Sequence, residues 1–166
     1  MYSTARLLRL AKAVSVSAIG LQSLLIVLGN TTDYDTNFQF VEHVLKMDTT
    51  FPTSRIHYRS LHQPFLFHAA YGLIIGLETL MSICCVRGSW LLIKHLTSGP
   101  ETFQAAKNWA VAGLTIGILL WFVGFEVVGG EWFAMWQSPL WNGLASAERM
   151  VSFLMLTLIL LHQRDH

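Results

Sequence analysis

The chain has 166 residues, of which 53% are hydrophobic and 13% charged, with a formal net charge of +1 and a mean hydropathy of +0.47. An average soluble domain carries about 25% charged residues, so this composition excludes an ordinary soluble domain. The small net charge provides no basic surface for nucleic acid. The length fits one domain, and Lys and Arg fall mostly at the ends of apolar runs, which indicates an integral membrane protein.

Four apolar segments are long enough to cross a bilayer, which requires about 20 residues in a helix. They cover about residues 10–30, 65–90, 107–130 and 142–162. Basic residues precede the first segment, as in a signal peptide, but its length and the lack of an A-x-A-like cleavage site favour an uncleaved anchor helix. The predicted fold class is all-α and polytopic, with residues 1–166 forming a single four-helix transmembrane domain.

The distribution of basic residues predicts the orientation, because cytoplasmic loops are enriched in Lys and Arg. One side of the membrane receives both termini and the loop between the second and third spans. The basic residues expected there are Arg6, Arg9, Lys12, Arg87, Lys94, Lys107 and Arg164. Lys46, Arg55 and Arg59 fall on the other side together with most acidic loop residues. The prediction is a multi-pass protein of the bacterial inner membrane with cytoplasmic termini.

The loop between the first two spans runs for about 35 residues, from Gly29 to Gln63, and loops of this length usually have structure or a function of their own. Apolar residues recur in it at helical spacing, at Phe38, Val41, Val44 and Leu45. This pattern predicts a short amphipathic helix, capped by Asn37 and ended between Met47 and Thr50, ahead of Pro52. Such a helix is expected to lie in the membrane interface or over the mouth of the bundle.

Two loop motifs are long and are not forced by composition. They read FVEHVLKMDTTFP over residues 40–52 and EWFAMWQSPLWNGLASAER over residues 131–149. Together with the glutamate of the second span they resemble the signature of a bacterial family of predicted small integral membrane proteins, classed as a domain of unknown function. The resemblance spans almost the whole chain and implies a four-helix inner-membrane protein. It brings no activity, cofactor or catalytic residue.

Five ionisable residues fall inside the predicted spans: His68, Glu78, Glu126, Glu148 and Arg149. Each costs about 2.5–3.5 kcal/mol at the bilayer centre, so each is a candidate functional residue. One interpretation is that these charges neutralise each other inside the protein and hold helices together, with Arg149 paired to Glu126 or Glu148. The other is a polar pocket or ion path from the outer face toward Glu78, which is expected to be protonated, hydrogen-bonded to a neighbouring helix, or turned toward a partner subunit.

Two GxxxG motifs predict close helix packing, through Gly72 and Gly76 in the second span and through Gly113 and Gly117 in the third. A homodimer contact is the alternative. The only two cysteines, Cys84 and Cys85, are adjacent and are expected to be reduced, buried, small residues rather than a metal or redox pair.

No catalytic motif or metal-ligand array occurs in the sequence. No cofactor is predicted; a haem held by His95 and His162, which both fall near the cytoplasmic ends of their spans, is the alternative.

These features favour an accessory or assembly subunit of a larger membrane complex, in contact with the lipid bilayer and with a protein partner or a second copy. The alternatives are an oligomeric transporter or channel that uses the intramembrane ionisable residues, and a haem- or quinone-binding redox subunit.

Overall fold

The computed structural model describes residues 4–165, which form helices and connecting turns without a strand. The elements are α1 (Thr4–Thr32), α2 (Tyr34–Lys46), α3 (Pro64–Lys94), α4 (Pro100–Ala105), α5 (Asn108–Ile118), which continues as a π-helix (Leu119–Trp132), and α6 (Leu144–His162). Single 3-10 turns lie at His57–Arg59 and Met135–Gln137.

Four helical stretches are long and apolar enough to cross a membrane: Thr4–Thr32, Pro64–Lys94, Pro100–Trp132 and Leu144–His162. The shortest has 19 residues, about 28 Å at 1.5 Å per residue, close to the roughly 30 Å of a bilayer's hydrocarbon core. The predicted four-span helical fold is confirmed. The first three stretches extend past the predicted spans, and the third begins with the separate short helix α4.

The spans form a four-membered ring in which α1 packs on α3, α3 on α5, α5 on α6, and α6 back on α1. Helices α3 and α6 therefore lie diagonally across the bundle. Small residues allow the closest approaches: a Cβ added at Gly88 of α3 would come within 2.5 Å of the Ala110 backbone of α5. We call the end of the bundle at which Thr4 and Asp165 lie the terminal end, and the end that carries α2 and residues 133–143 the cap end.

Helix α2 confirms the predicted amphipathic helix between the first two spans. Val41 and Val44 are buried beneath it, while Phe38 and Leu45 are partly buried. The start differs from the prediction: α2 begins at Tyr34, and Asn37 donates its side-chain amide to the Asp33 carbonyl instead of capping the helix. Aromatic contacts of Tyr34 and Phe38 with α3 account for the extra turn, since tertiary packing overrides local capping signals.

The third span changes its winding within the membrane region, which the sequence did not predict. From Leu119 to Trp132 the helix is a π-helix, with hydrogen bonds between residues five apart, as between the Phe133 N–H and the Val128 carbonyl (3.0 Å). Residues five apart then share a face, whereas on an α-helix they point in different directions and only residues three and four apart share one. Extended π-helix is rare, and short π segments occur often at functional sites.

Candidate functional sites in the membrane region

Glu78 lies in the middle of α3 with its side chain turned toward α1. Only 2% of the residue is exposed, and its Oε2 accepts a hydrogen bond from the Asn30 side-chain amide at 2.7 Å. Asn30 in turn accepts a hydrogen bond at its carbonyl from the Tyr71 hydroxyl (3.1 Å). A buried carboxyl group requires such partners. The expectation that Glu78 bonds to a neighbouring helix is met by Asn30, a partner that the sequence pattern did not single out.

His68 lies nearly three turns from Glu78 toward the cap end, among aromatic rings. Its Nδ1 is 3.0 Å from the Tyr34 hydroxyl, and its ring stacks on Phe38 with centroids 4.3 Å apart. Tyr34 also meets the edge of the Tyr71 ring, with centroids 4.7 Å apart. Contacts therefore lead from exposed His68 through Tyr34, Tyr71 and Asn30 to buried Glu78, with the step from Tyr34 to Tyr71 made by their rings.

Glu126, Glu148 and Arg149 are not part of this group. Glu148 and Arg149 are exposed on α6 and take part in none of the ion pairs or hydrogen bonds of residues 4–165. The expected pairing of Arg149 with Glu126 or Glu148 is therefore absent, because both α6 side chains face outward. Glu126 is partly buried on the π-helix, and its Oε1 is buried with no hydrogen-bond partner among the described residues. The five ionisable residues do not form one cluster.

The two GxxxG motifs lie in different surroundings. A Cβ added at Gly113 would come within 2.6 Å of the Cys85 sulfur, and one at Gly117 within 2.8 Å of the Met81 sulfur. These glycines allow α5 to contact α3 closely. Gly72 and Gly76 are exposed, and an added Cβ would meet no atom of the described chain within 4 Å. The second-span motif thus makes no packing contact inside the bundle.

The two loop motifs meet at the cap end. The hydroxyls of Thr49 and Ser138 are 2.7 Å apart, and the Phe51 N–H donates to Gln137 Oε1 at 3.1 Å. His43 stacks on Trp141 with ring centroids 4.7 Å apart and an interplanar angle of 9°. The residues that make the motifs distinctive therefore hold α2 and its following turn against residues 133–143.

An apolar cavity of about 260 Å³ lies below α2, between α3 and the π-helix. The residues lining it are Phe40, Val41, Val44, Leu45, Ala70, Leu73, Ile74, Leu77, Leu119, Leu120, Gly124, Phe125, Val128, Gly129, Phe133 and Met135. None of these side chains is polar. The π winding brings Leu120, Gly124 and Gly129 onto one wall of the cavity. An α-helix over the same residues would not place all three on one side.

At the terminal end the chain returns to the bundle through Asp165, which sequence reasoning missed. Its carboxylate contacts the ammonium groups of Lys12 (2.8 Å) and Lys107 (2.5 Å), and its side chain is 3% exposed. Arg9 lies 4.0 Å away and donates to the carbonyls of Leu96 and Ser98. The sequence did contain a signal for these ion pairs, because Asp165 is an isolated acidic residue among the basic residues near the termini. However, the basic residues near the spans were interpreted only as markers of orientation.

The histidines of the haem alternative lie at this same end. His95 follows α3, with its Nδ1 3.2 Å from the Ser98 hydroxyl, and His162 is exposed at the end of α6. The haem alternative stays a prediction. Cys84 and Cys85 are free and buried, as expected.

Four apolar spans, a capped bundle and ionisable groups within the spans define a polytopic α-helical membrane protein. A family model described as "Predicted small integral membrane protein (DUF2165)" matches residues 8–164, and the chain belongs to this family. No curated protein and no solved structure matches the chain.

Proposed function

We propose that the chain is an accessory or assembly subunit of a larger complex in the bacterial inner membrane, with both termini on the cytoplasmic side. The observation that carries this proposal is the exposure of Glu148 and Arg149 on the spanning helix α6, with no partner in residues 4–165. They lie four and five residues past Leu144, about 6–7.5 Å into the helix. Ionisable side chains facing lipid are costly, and a partner helix with complementary charges would remove that cost.

A second surface supports an assembly role. Because Gly72 and Gly76 have no Cβ, they leave a shallow surface on α3. Small residues one turn apart are typical of contacts between membrane helices. Because α3 and α6 lie diagonally across the ring, the two surfaces face different directions. A subunit with two such surfaces fits between two neighbouring proteins better than it fits a simple symmetric dimer.

The α6 surface is testable by site-specific photocrosslinking in the native membrane. Ser152 is exposed one turn after Arg149, so a photoreactive residue there is expected to crosslink to one membrane protein in a fixed ratio. Arg149→Gln should reduce that crosslink about tenfold, because a loss of roughly 1.4 kcal/mol in binding free energy lowers the affinity by that factor. Ser146→Ala, an exposed change on the same helix, should leave it unchanged.

Two results would contradict the proposal. One is a partner-free monomer by native mass spectrometry of protein extracted in mild detergent or native lipid. The other is a crosslink that Arg149→Gln and Ser146→Ala leave equally strong. A product of twice the chain mass, containing only this sequence, would replace the accessory role with a homo-oligomer.

The second candidate is an oligomeric transporter or channel, which the polar groups from His68 to Glu78 favour. Buried Glu78 with Asn30 and Tyr71 resembles a proton-carrying group in the membrane. In proteoliposomes, Glu78→Gln is expected to abolish proton or ion flux, whereas Glu101→Gln at an exposed position should not. Equal flux for the two variants would reject this candidate.

A further inference from the structure

Helix α2 covers the cavity at the cap end, and α3 and the π-helix of the third span bound it on two sides. Phe40 and Val44 of α2 form its roof, and its α3 wall runs from Ala70 to Leu77. Those α3 residues lie 6 to 13 positions past Pro64, about 9–20 Å along the helix. The cavity therefore lies at the depth of hydrocarbon, in the half of the bilayer nearest the cap end.

The cavity opens sideways to the bilayer. Three lining residues on the spans are strongly exposed: Leu73 by 63%, Leu119 by 55% and Val128 by 42%. Exposed apolar residues on spanning helices face lipid, so the opening between them leads into the hydrocarbon and not into solvent. At the inner side Phe133 and Met135 are almost fully buried and close the cavity.

We propose that this cavity binds one hydrocarbon chain of a bilayer phospholipid, which enters sideways between α3 and the π-helix. The lining has no polar side chain for a head group, which would stay at the membrane surface beside α2. The volume of about 260 Å³ lies just below that of small-molecule sites, roughly 300–1,000 Å³, and fits a single chain rather than a ring system. The lining includes neither Gly72 and Gly76 nor Glu148 and Arg149, so this proposal does not rest on the proposed partner surfaces.

The π-helix supplies the space for this chain. A Cβ added at Gly124 would have its nearest neighbour, Leu120 Cδ1, at 3.8 Å, and one added at Gly129 would meet Met135 Cε at 3.5 Å. These are ordinary contact distances, so the two glycines border open volume instead of a tight helix contact. A large side chain at position 124 would fill the cavity without first meeting the backbone.

The test uses the full chain in nanodiscs that contain a phosphatidylethanolamine with a photoreactive diazirine in one acyl chain. The label is expected on residues that line the cavity, and unlabelled phospholipid should compete until labelling saturates. Gly124→Leu should weaken labelling about tenfold. Gly29→Leu, a glycine of α1 whose added Cβ meets nothing within 4 Å, is the matched control and should label as the wild type does.

Leu73→Trp at the exposed mouth gives an independent variant if Gly124→Leu alters folding, as judged by gel filtration and thermal stability. It should also weaken labelling. Labelling that neither variant reduces, or that spreads without saturation over all lipid-facing helices, would overturn the proposal. Displacement of the probe by an isoprenoid quinone but not by phospholipid would overturn the choice of phospholipid.

Discussion

At the scale of single residues, Asp165 shows how one carboxylate ties three parts of the chain together. It contacts Lys12 of α1 and Lys107, which joins α4 to α5, while itself following α6. Burial alone raises the pKa of Asp165, but the hydrogen bonds and charges of Lys107 and Lys12 outweigh burial and lower it below its usual value. The ion pairs therefore stabilise the folded terminal end.

The lowered pKa gives a pH dependence of defined sign. A carboxyl group whose pKa is lower when folded contributes its full stability above its unfolded value of about 4 and loses it as the pH falls through the folded value. Asp165→Asn is expected to lower the free energy of unfolding by about 3 kcal/mol at pH 7, because two buried ammonium groups lose their counter-charge. The difference from wild type should shrink below pH 4 as wild-type Asp165 becomes protonated.

Thermal unfolding in detergent, followed by circular dichroism at several pH values, measures this difference. Asp35→Asn provides the control, since Asp35 is exposed on α2 and exposed substitutions usually change stability by less than about 0.5 kcal/mol. A wild-type advantage over Asp165→Asn that stays constant from pH 7 to pH 3 would show that the carboxylate charge is not what stabilises this end.

Glycines show why residue-level packing was harder to predict than the spans. The sequence motif treats Gly72–Gly76 and Gly113–Gly117 alike, yet only the second pair lies in a contact within the bundle. Gly20 and Gly88 pack closely without forming such a motif: a Cβ added at Gly20 would lie 3.2 Å from the Val86 backbone nitrogen, and one added at Gly88 would meet the Ala110 backbone. Which face of a helix meets a neighbour depends on the arrangement of the whole ring, which local spacing does not contain.

At the scale of elements, the cap is a folded unit made of two loop segments. Ser138 is 6% exposed, and its hydroxyl oxygen accepts hydrogen bonds from the N–H groups of Leu140 (3.3 Å) and Trp141 (2.8 Å). It also contacts the Thr49 hydroxyl. One side chain thus closes the turn before α6 and connects it to the segment that follows α2.

Removal of this hydroxyl should loosen the cap without unfolding the bundle. Ser138→Ala leaves two backbone N–H groups without their acceptor, at a cost of about 1–3 kcal/mol. Hydrogen–deuterium exchange is expected to accelerate in residues 47–54 and 133–143 and to stay unchanged in α1 and α3.

Ser146→Ala, at an exposed position in the first turns of α6, serves as the comparison and should change neither region. Faster exchange in residues 133–143 alone would mean that the contact between Thr49 and Ser138 does not couple the two segments.

These elements could be predicted from the sequence only where the interactions that form them join residues close together in the chain. Hydropathy and helical spacing are local, so the four spans and the amphipathic face at Val41 and Val44 could be predicted. The bond from Asn30 to Glu78 and the contact of Thr49 with Ser138 join residues 48 and 89 positions apart. The π winding after Ile118 was not predicted either, because helical spacing alone does not distinguish it from an α-helix. The same limit explains why Arg149 was expected to pair inside the chain although α6 turns it outward.

At the scale of the whole molecule, the charge distribution separates the two ends of the bundle. Seven of the eleven basic residues belong to the terminal end, three to the cap end, and Arg149 lies within α6. Three of the seven, Arg9, Lys12 and Lys107, are buried around Asp165. Acidic residues contribute little to the orientation bias, so these three still count, and the bias predicts a cytoplasmic terminal end.

Cysteine accessibility in intact cells tests this orientation. Cys84 and Cys85 are 4% and 0% exposed, so they can stay in place as an unreactive background. Tyr58, 77% exposed at the cap end, and Glu101, exposed at the terminal end, are replaced singly by cysteine. A membrane-impermeant maleimide should label Tyr58→Cys in intact cells and Glu101→Cys only after the membrane is opened. Labelling of Glu101→Cys in intact cells, with Tyr58→Cys protected, would reverse the orientation. The cap and the cavity below it would then face the cytoplasm.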